Sequence, residues 1–340
     1  MKKPRAVCVG EGLVVLVAEA GPLESSETFH RTSGGAEANV ARVFAQLGVD
    51  TAWVSRVGND GFGRYLVRQL AEAGVETSGV AIDGERLTGM YIKERGSGSG
   101  DPYDLASGDS AMTYFRAGSA ASALSPGDIG GQASDLISHA DLIHFTGITV
   151  AISDTAADLT RALMSRSTTV SFDLNYRPAL WRSRPHAAAD ILGEHVRGSN
   201  VVSMGSDEAA LVFGTSDPAE LREMFPQPQH LVIKNDAHTV TAFEGTTRVD
   251  VPALELDVVE KIGAGDAFAG GYLTALLLGR SAVERVRFGH LCAAGALTGH
   301  GDIASVLPLD VLTRLAELDD AEWATLDYAA TAARSSVVSR

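Results

Sequence analysis

The stretch of this 340-residue chain with the plainest chemical potential is Gly263-Ala264-Gly265-Asp266, set directly before the apolar run AFAGGYLTALLLG. Small residues let backbone N–H groups approach an anion, and a helix beginning here adds positive partial charge at its first turn. Such a turn suits a phosphate whose charge shifts during transfer. Asp266 stands at the helix start, as an N-cap or as a general base. Taken alone, the four residues also describe a capped helix after a glycine turn.

Two further clusters carry polar groups at element ends. Gly34-Gly35-Ala36-Glu37-Ala38-Asn39 opens another helix, with Asn39 one turn in. Asparagine is a poor helix former, so Asn39 reads as a hydrogen-bonding group or as a solvent-facing amide. Phe172-Asp173-Leu174-Asn175-Tyr176-Arg177-Pro178 follows a strand. Ligands of open α/β sheets bind beyond the carboxyl ends of the strands. Arg177, with Arg116 of Tyr114-Phe115-Arg116, is a candidate to fork onto a carboxylate. Singly, either also reads as a surface arginine.

The elements around these clusters alternate. Residues 6–10, 51–57, 141–146, 169–173, 200–204 and 230–234 read as strands. Val40, Val43, Phe44 and Leu47 follow helical spacing over 36–48, with Gly48 as the stop; Phe62, Leu66 and Leu70 mark a second helix ended by Gly74. A long helical region, 266–299, breaks near Gly279. The pattern implies an α/β fold with a mostly parallel sheet covered on both faces.

Residues 87–95 and 112–118 interrupt the rhythm as strands of alternating exposure around GSGSGDPYDLASGDS, flexible by composition. With 13–17 and 28–33 they suggest a small separate sheet, either a lid over a cleft or a peripheral hairpin. The expected division is a core of 5–12, 34–86 and 119–315, a lid of 13–33 and 87–118, and a frayed polar tail at 316–340.

A net charge of −15 and a pI near 5.0 argue against a nucleic-acid surface and against anionic membranes. No apolar run approaches the roughly 20 residues of a membrane helix. The N-terminal MKKPRAVCVGEGLVVLV imitates a signal peptide, but Gly10-Glu11-Gly12 interrupts its apolar run. Cys8 and Cys292, both in apolar runs, read as buried thiols in a reducing, cytoplasmic compartment. The dinucleotide fingerprint lacks its third glycine and following helix, the nine histidines do not cluster as zinc ligands, and no Gly-x-Ser-x-Gly elbow occurs.

Two of the clusters together carry a family resemblance. GGAEANVARVFAQLG, followed by a strand and VGNDGFG, and IGAGDAFAGGYLTALL more than 200 residues later resemble the two signatures of ribokinase-like (PfkB-type) carbohydrate kinases. The resemblance spans roughly residues 5–312. Within the family, GEGLVVLV, TGMYIKE, YFRAGSAASAL and FDLNYRPALW are most similar to 2-keto-3-deoxygluconate kinases.

The resemblance implies transfer of the γ-phosphoryl of ATP, with Mg2+, to a primary hydroxyl of a sugar, by Asp266 as base and Gly263, Ala264 and Gly265 as anion hole. It implies sugar contacts from Gly34, Gly35 and Asn39, and an acid-sugar pocket of Tyr91, Tyr114, Arg116 and Arg177. A neutral ketose such as fructose or another deoxyketo sugar is the alternative acceptor, and a sugar-acid-binding pseudokinase the non-enzyme alternative. The poorly covered face of the small sheet points to a homo-oligomer formed through the lid.

The nucleotide side departs from the family's pattern. Glu260-Lys261-Ile262 replaces an acidic residue followed by Thr or Pro, which leaves a monovalent cation open. Gly205-Ser206-Asp207-Glu208 keeps the Glu of an Asn-x-x-Glu motif, tied indirectly to magnesium, without its Asn. A Lys-x-Gly-x-x-Gly turn reads Lys234-Asn235-Asp236-Ala237-His238-Thr239, and His290 stands where an Asn near the adenine is frequent. Gly205, Lys234, Asp236, Gly263, Gly265 and His290 are thus the expected nucleotide contacts. The departures leave open a modified mode of ATP binding or another phosphoryl donor.

Overall fold

A computed structural model of the chain describes residues 3–235, 238–299 and 304–338. Its strands are β1 (Arg5–Val9), β2 (Leu13–Ala20), β3 (Phe29–Gly34), β4 (Asp50–Gly58), β5 (Val80–Asp83), β6 (Met90–Arg95), β7 (Ser110–Phe115), β8 (Leu142–Thr146), β9 (Thr169–Asp173), β10 (Val201–Gly205), β11 (His230–Asn235), β12 (Thr239–Glu244) and β13 (Thr247–Pro252). Nine form one sheet in the order β13-β12-β11-β10-β9-β8-β1-β4-β5. All its pairings are parallel except β11–β12 and β12–β13.

Strand β1 shows why both faces must be covered. Ala6 and Cys8 enter one apolar cluster, and Val7 and Val9 enter the other, on the opposite side of the sheet. The chain builds outward from β1 to β4 and β5 on one side and from β8 onward on the other. Such a reversal of strand order leaves a crevice at the carboxyl ends.

The helices Ala36–Gln46 and Ala264–Leu277 pack together in the apolar cluster on the Ala6 and Cys8 face of the sheet. A Cβ on Gly270 would lie 2.6 Å from Val43 Cγ1, so the two helices approach more closely than any larger residue at 270 permits. On the other flank of the same helix, a Cβ on Gly271 would sit 2.5 Å from the Phe288 carbonyl oxygen, in the helix Ala282–Leu297. Glycines that look like helix breakers in sequence here let three helices nest.

The second sheet has the order β3-β2-β6-β7. Leu13, Val15 and Tyr91 form its own small apolar cluster. The serine-glycine segment between β6 and β7 folds around Asp104, which accepts hydrogen bonds from the backbone N–H of Ser97 and Ser99 at 3.1 and 2.8 Å. The segment beyond residue 316 differs from the expected frayed tail. It carries the helices Asp320–Ala324 and Tyr328–Val338, and Trp323 is buried with 2% exposure. Trp323 Nε1 donates to the Pro252 carbonyl at 3.1 Å, and Arg287 pairs with Asp320, so this segment is part of the core. Among the described residues, no helix is long and apolar enough to cross a membrane.

Candidate active site

Gly263 takes a left-handed conformation, φ 79°, and starts the helix Ala264–Leu277. That geometry is available to glycine at little cost, and a helix start leaves its first N–H groups without partners inside the helix; that of Ala264 makes a long bond, 3.4 Å, back to the Lys261 carbonyl. Asp266 follows within the first turn, half-buried. Its Oδ2 accepts a hydrogen bond from Asn39 Nδ2 at 2.8 Å, and its Oδ1 one from Asn175 Nδ2 at 3.4 Å. Two helix starts and one strand end thus converge on a single carboxylate.

Loss of water around Asp266 pushes its pKa up to about 6; Asn39 opposes the shift, and the nearby charge of Asp173 adds to it. A carboxylate poised near neutrality is suited to take and release a proton. Lys234 lies on the same side, with Nζ 2.9 Å from Asp173 Oδ2. Burial would lower the Lys234 ammonium, but Asp173 and then Glu208 outweigh it and hold its pKa above the ordinary value. A fixed cation therefore stands close to the Asp266 carboxylate.

Asn175 has φ 37°, the one positive φ outside glycine among the described residues. Its backbone N–H donates to Asp173 Oδ1 at 3.2 Å, and its own Oδ1 is buried without a partner among the described residues. A strained backbone next to the carboxylate places this amide where a relaxed strand end would not.

A cavity of ≈ 690 Å³ opens beside the glycine turn, lined among others by Lys234, Ala264, Gly265, Phe268 and His290. His290 Nε2 lies 3.3 Å from the Val251 carbonyl, and burial lowers its pKa to about 4, so the ring is neutral. The expected nucleotide residues Lys234, Gly265 and His290 share this cavity. Gly205 stands apart from its lining, at the start of the helix Ser206–Phe213, where its N–H donates to Glu208 Oε2 at 3.1 Å. Burial and Asp173 raise the pKa of Glu208. Asp236 lies outside the described residues.

Of the residues expected to meet the sugar, Tyr91 and Tyr114 belong to the second sheet and Gly34 ends its strand β3. Tyr91 and Tyr114 face each other across β6 and β7, with ring centroids 5.1 Å apart. A Cβ on Gly34 would come 3.2 Å from Tyr91 Oη, and one on Gly35 would collide with the Glu11 carbonyl. Arg116 lies 5.5 Å from the Tyr114 ring and pairs with the buried Glu11. Arg177, half exposed at 51%, pairs with Glu208 at 3.1 Å. Each arginine thus has a carboxylate partner of its own, and in this structure they share none.

Sequence reasoning assigned no role to Glu11, Glu37, Asp173, Asn175 or Lys93. Glu37 is fully buried and its Oε1 accepts from Thr146 N, Thr146 Oγ1 and Thr149 Oγ1 at 2.9, 2.8 and 2.7 Å. It anchors the helix that carries Asn39 to the end of β8. The signal for Glu37 was present as a charge on the inward face of an apolar helix start.

A left-handed glycine turn, a shielded carboxylate, a neighbouring ammonium and an adjoining cavity are the parts that phosphoryl transfer requires. Residues 3–309 match the family described as pfkB family carbohydrate kinase, and the chain belongs to that family. It is an ATP-dependent sugar kinase. A 2-dehydro-3-deoxygluconokinase of Thermoproteus tenax is 35% identical over 275 residues, covering 80% of this chain and 81% of its own. The crystal structure of a 2-dehydro-3-deoxygluconokinase of Thermotoga maritima superposes with TM-score 0.81 at 25% identity, over 93% of this chain and 99% of that one. A probable fructokinase of Arabidopsis thaliana is 26% identical over 91% of each chain.

Proposed function

We propose that the chain phosphorylates a primary hydroxyl of a sugar acid, 2-keto-3-deoxygluconate, from ATP. The observation that carries the catalytic step is Asp266, held between Asn39 and Asn175 and directly following Gly265, which lines the cavity of ≈ 690 Å³. Asp266 takes the hydroxyl proton as the sugar oxygen bonds to the γ-phosphorus and the bond to the β-phosphate oxygen breaks. The N–H groups of Gly263, Ala264 and Gly265 face the charge on the transferring group, and Lys234 adds a fixed positive charge. Gly34, Gly35 and Asn39 hold sugar hydroxyls.

Two arginines support an acidic acceptor. Arg116 Nε is buried without a partner among the described residues, and a buried donor of this kind favours an added acceptor. Arg177 is half exposed, so its guanidinium is open to a substrate carboxylate as well as to Glu208. A neutral ketose is the competing acceptor, given the fructokinase among the relatives.

Magnesium fits this donor set as a companion of the nucleotide. Among the described residues no three His, Cys, Asp or Glu side chains are grouped for a metal ion, and Mg2+ commonly rests on substrate phosphates, water and one or two carboxylates. Glu208 is the candidate carboxylate. The second sheet would close over the sugar as a lid, and its exposed Phe29, Met112 and Phe115 support pairing with a second copy, which light scattering tests. The unpaired, buried thiols Cys8 and Cys292 support a cytoplasmic setting.

The test is ATP consumption with 2-keto-3-deoxygluconate, its galacto epimer, fructose and ribose. The expected result is a kcat/KM for the acid sugar at least about 10²-fold above that for fructose. A preference for fructose overturns the acid-sugar assignment.

A further inference from the structure

Lys93 and Glu260 form an ion pair that joins the second sheet to the backbone entering the glycine turn. Lys93 follows Tyr91 by two residues on β6, so both side chains leave the same face of the strand. Tyr91 reaches toward Gly34 on the sugar side. Lys93, with only 4% of its side chain exposed, places Nζ 2.5 Å from Glu260 Oε2.

The other oxygen of Glu260 has a different task. Oε1 accepts hydrogen bonds from the backbone N–H of Lys261 at 3.1 Å and of Ile262 at 3.4 Å. These residues immediately precede Gly263. The Glu260 N–H in turn donates to the Leu297 carbonyl at 3.2 Å, which pins the segment to the helix Ala282–Leu297. One carboxylate therefore receives the second sheet on one oxygen and shapes the approach to the glycine turn with the other.

From this juxtaposition we infer that Lys93 and Glu260 are positioning residues, which tie the placement of the second sheet over the sugar to the aim of the N–H groups at Gly263–Gly265. The inference rests on the kinase reading above but not on which sugar is used. A buried ammonium cannot be withdrawn from its carboxylate without a large desolvation cost, so the sheet and the turn are mechanically linked. Transfer is sensitive to such a link, because a misplacement of about 1 Å can cost about 10²-fold in rate. Neither side chain has to touch a substrate.

The experiment compares the wild-type chain with K93M, E260Q and the double variant, using whichever sugar the wild type phosphorylates best. K93M keeps the length of the stem without its charge, and E260Q keeps an oxygen for the Lys261 and Ile262 N–H groups. Each single variant is expected to lose about 10-fold or more in kcat, with KM for ATP within about 3-fold. The double variant should match the more damaged single variant, as expected for two residues acting through one contact. Hydrogen exchange at the Lys261 and Ile262 amides should speed up in K93M, a readout that needs no turnover. If E260Q does not fold because it takes a negative charge away from the buried ammonium, K93M carries the test. An unchanged kcat in folded K93M, unchanged exchange at both amides, or additive losses in the double variant would overturn the inference. A wild-type chain that consumes no ATP with any sugar would instead remove the kinase reading, and the exchange result would still report on the link itself.

Discussion

Asn39 Nδ2 donates to Asp266 Oδ2 at 2.8 Å, although 227 positions separate the two residues in sequence. One helical turn further along each helix, Val43 packs against Gly270, where a Cβ would lie 2.6 Å from Val43 Cγ1. The polar contact and the apolar contact are successive rungs of the same helix pair. The close packing sets the separation at which an amide can reach the carboxylate.

Gly270→Ala tests that dependence. The added methyl must push the helices apart, at a cost of about 1–3 kcal/mol in stability by denaturant unfolding. The turnover of the folded protein should fall as well, because the Asn39 hydrogen bond lengthens. Full turnover in a destabilised variant would separate the packing from the base.

Asp266→Asn preserves shape and removes basicity. A drop in kcat of about 10²-fold or more, with KM for the sugar little changed, is the expected kinetic result. Stability should respond in the opposite sense. Because burial raises the Asp266 pKa from 3.8 to about 6, its contribution to stability is fully present below about pH 3.8 and is lost as pH rises through about 6. The Tm of Asp266→Asn relative to wild type should therefore climb between those pH values. A flat difference across the range counts against a raised pKa.

Asn39→Ala acts on the same equilibrium. The Asn39 hydrogen bond favours the ionised carboxylate and lowers the Asp266 pKa. Without it, the acidic limb of the kcat profile should move to higher pH. If the limb stays in place while KM for the sugar rises, Asn39 serves the sugar alone.

Arg177→Ala addresses the substrate's charge. It should depress kcat/KM for 2-keto-3-deoxygluconate steeply and narrow the ratio to fructose, since it deletes the donor that favours a carboxylate. Equal losses on both sugars would assign Arg177 to holding Glu208, its partner at 3.1 Å.

The parts of the site that were legible in sequence are those announced by local backbone demands. Glycine turns before apolar helices marked Asn39 and Asp266 because a helix start can be read within a few residues. The strand Thr169–Asp173 was legible to the residue, and Arg5–Val9 to within one. What escaped were groups defined by distant partners. Glu11 and Lys93 look like ordinary strand-edge charges until Arg116 and Glu260 are brought to them by the fold. The C-terminal segment misled for a related reason. Trp323 and Tyr328 lie five apart with no helical periodicity between them, and the Pro252 carbonyl that receives Trp323 comes from a hairpin some 70 residues earlier.

That same Trp323 has a bearing on how the protein comes into being. Its ring stands 6.2 Å from the ring of His290, which lines the cavity beside the glycine turn, so late-synthesised residues back a wall built from earlier ones. Gly34, Gly35, the second sheet and even Asp266 all emerge from the ribosome before it. A nascent chain can thus assemble its second sheet and its glycine turn while the cavity wall at His290 still lacks its backing. A chain cut short just before Trp323 would keep every residue proposed here for chemistry and yet leave the cavity beside the glycine turn without that support.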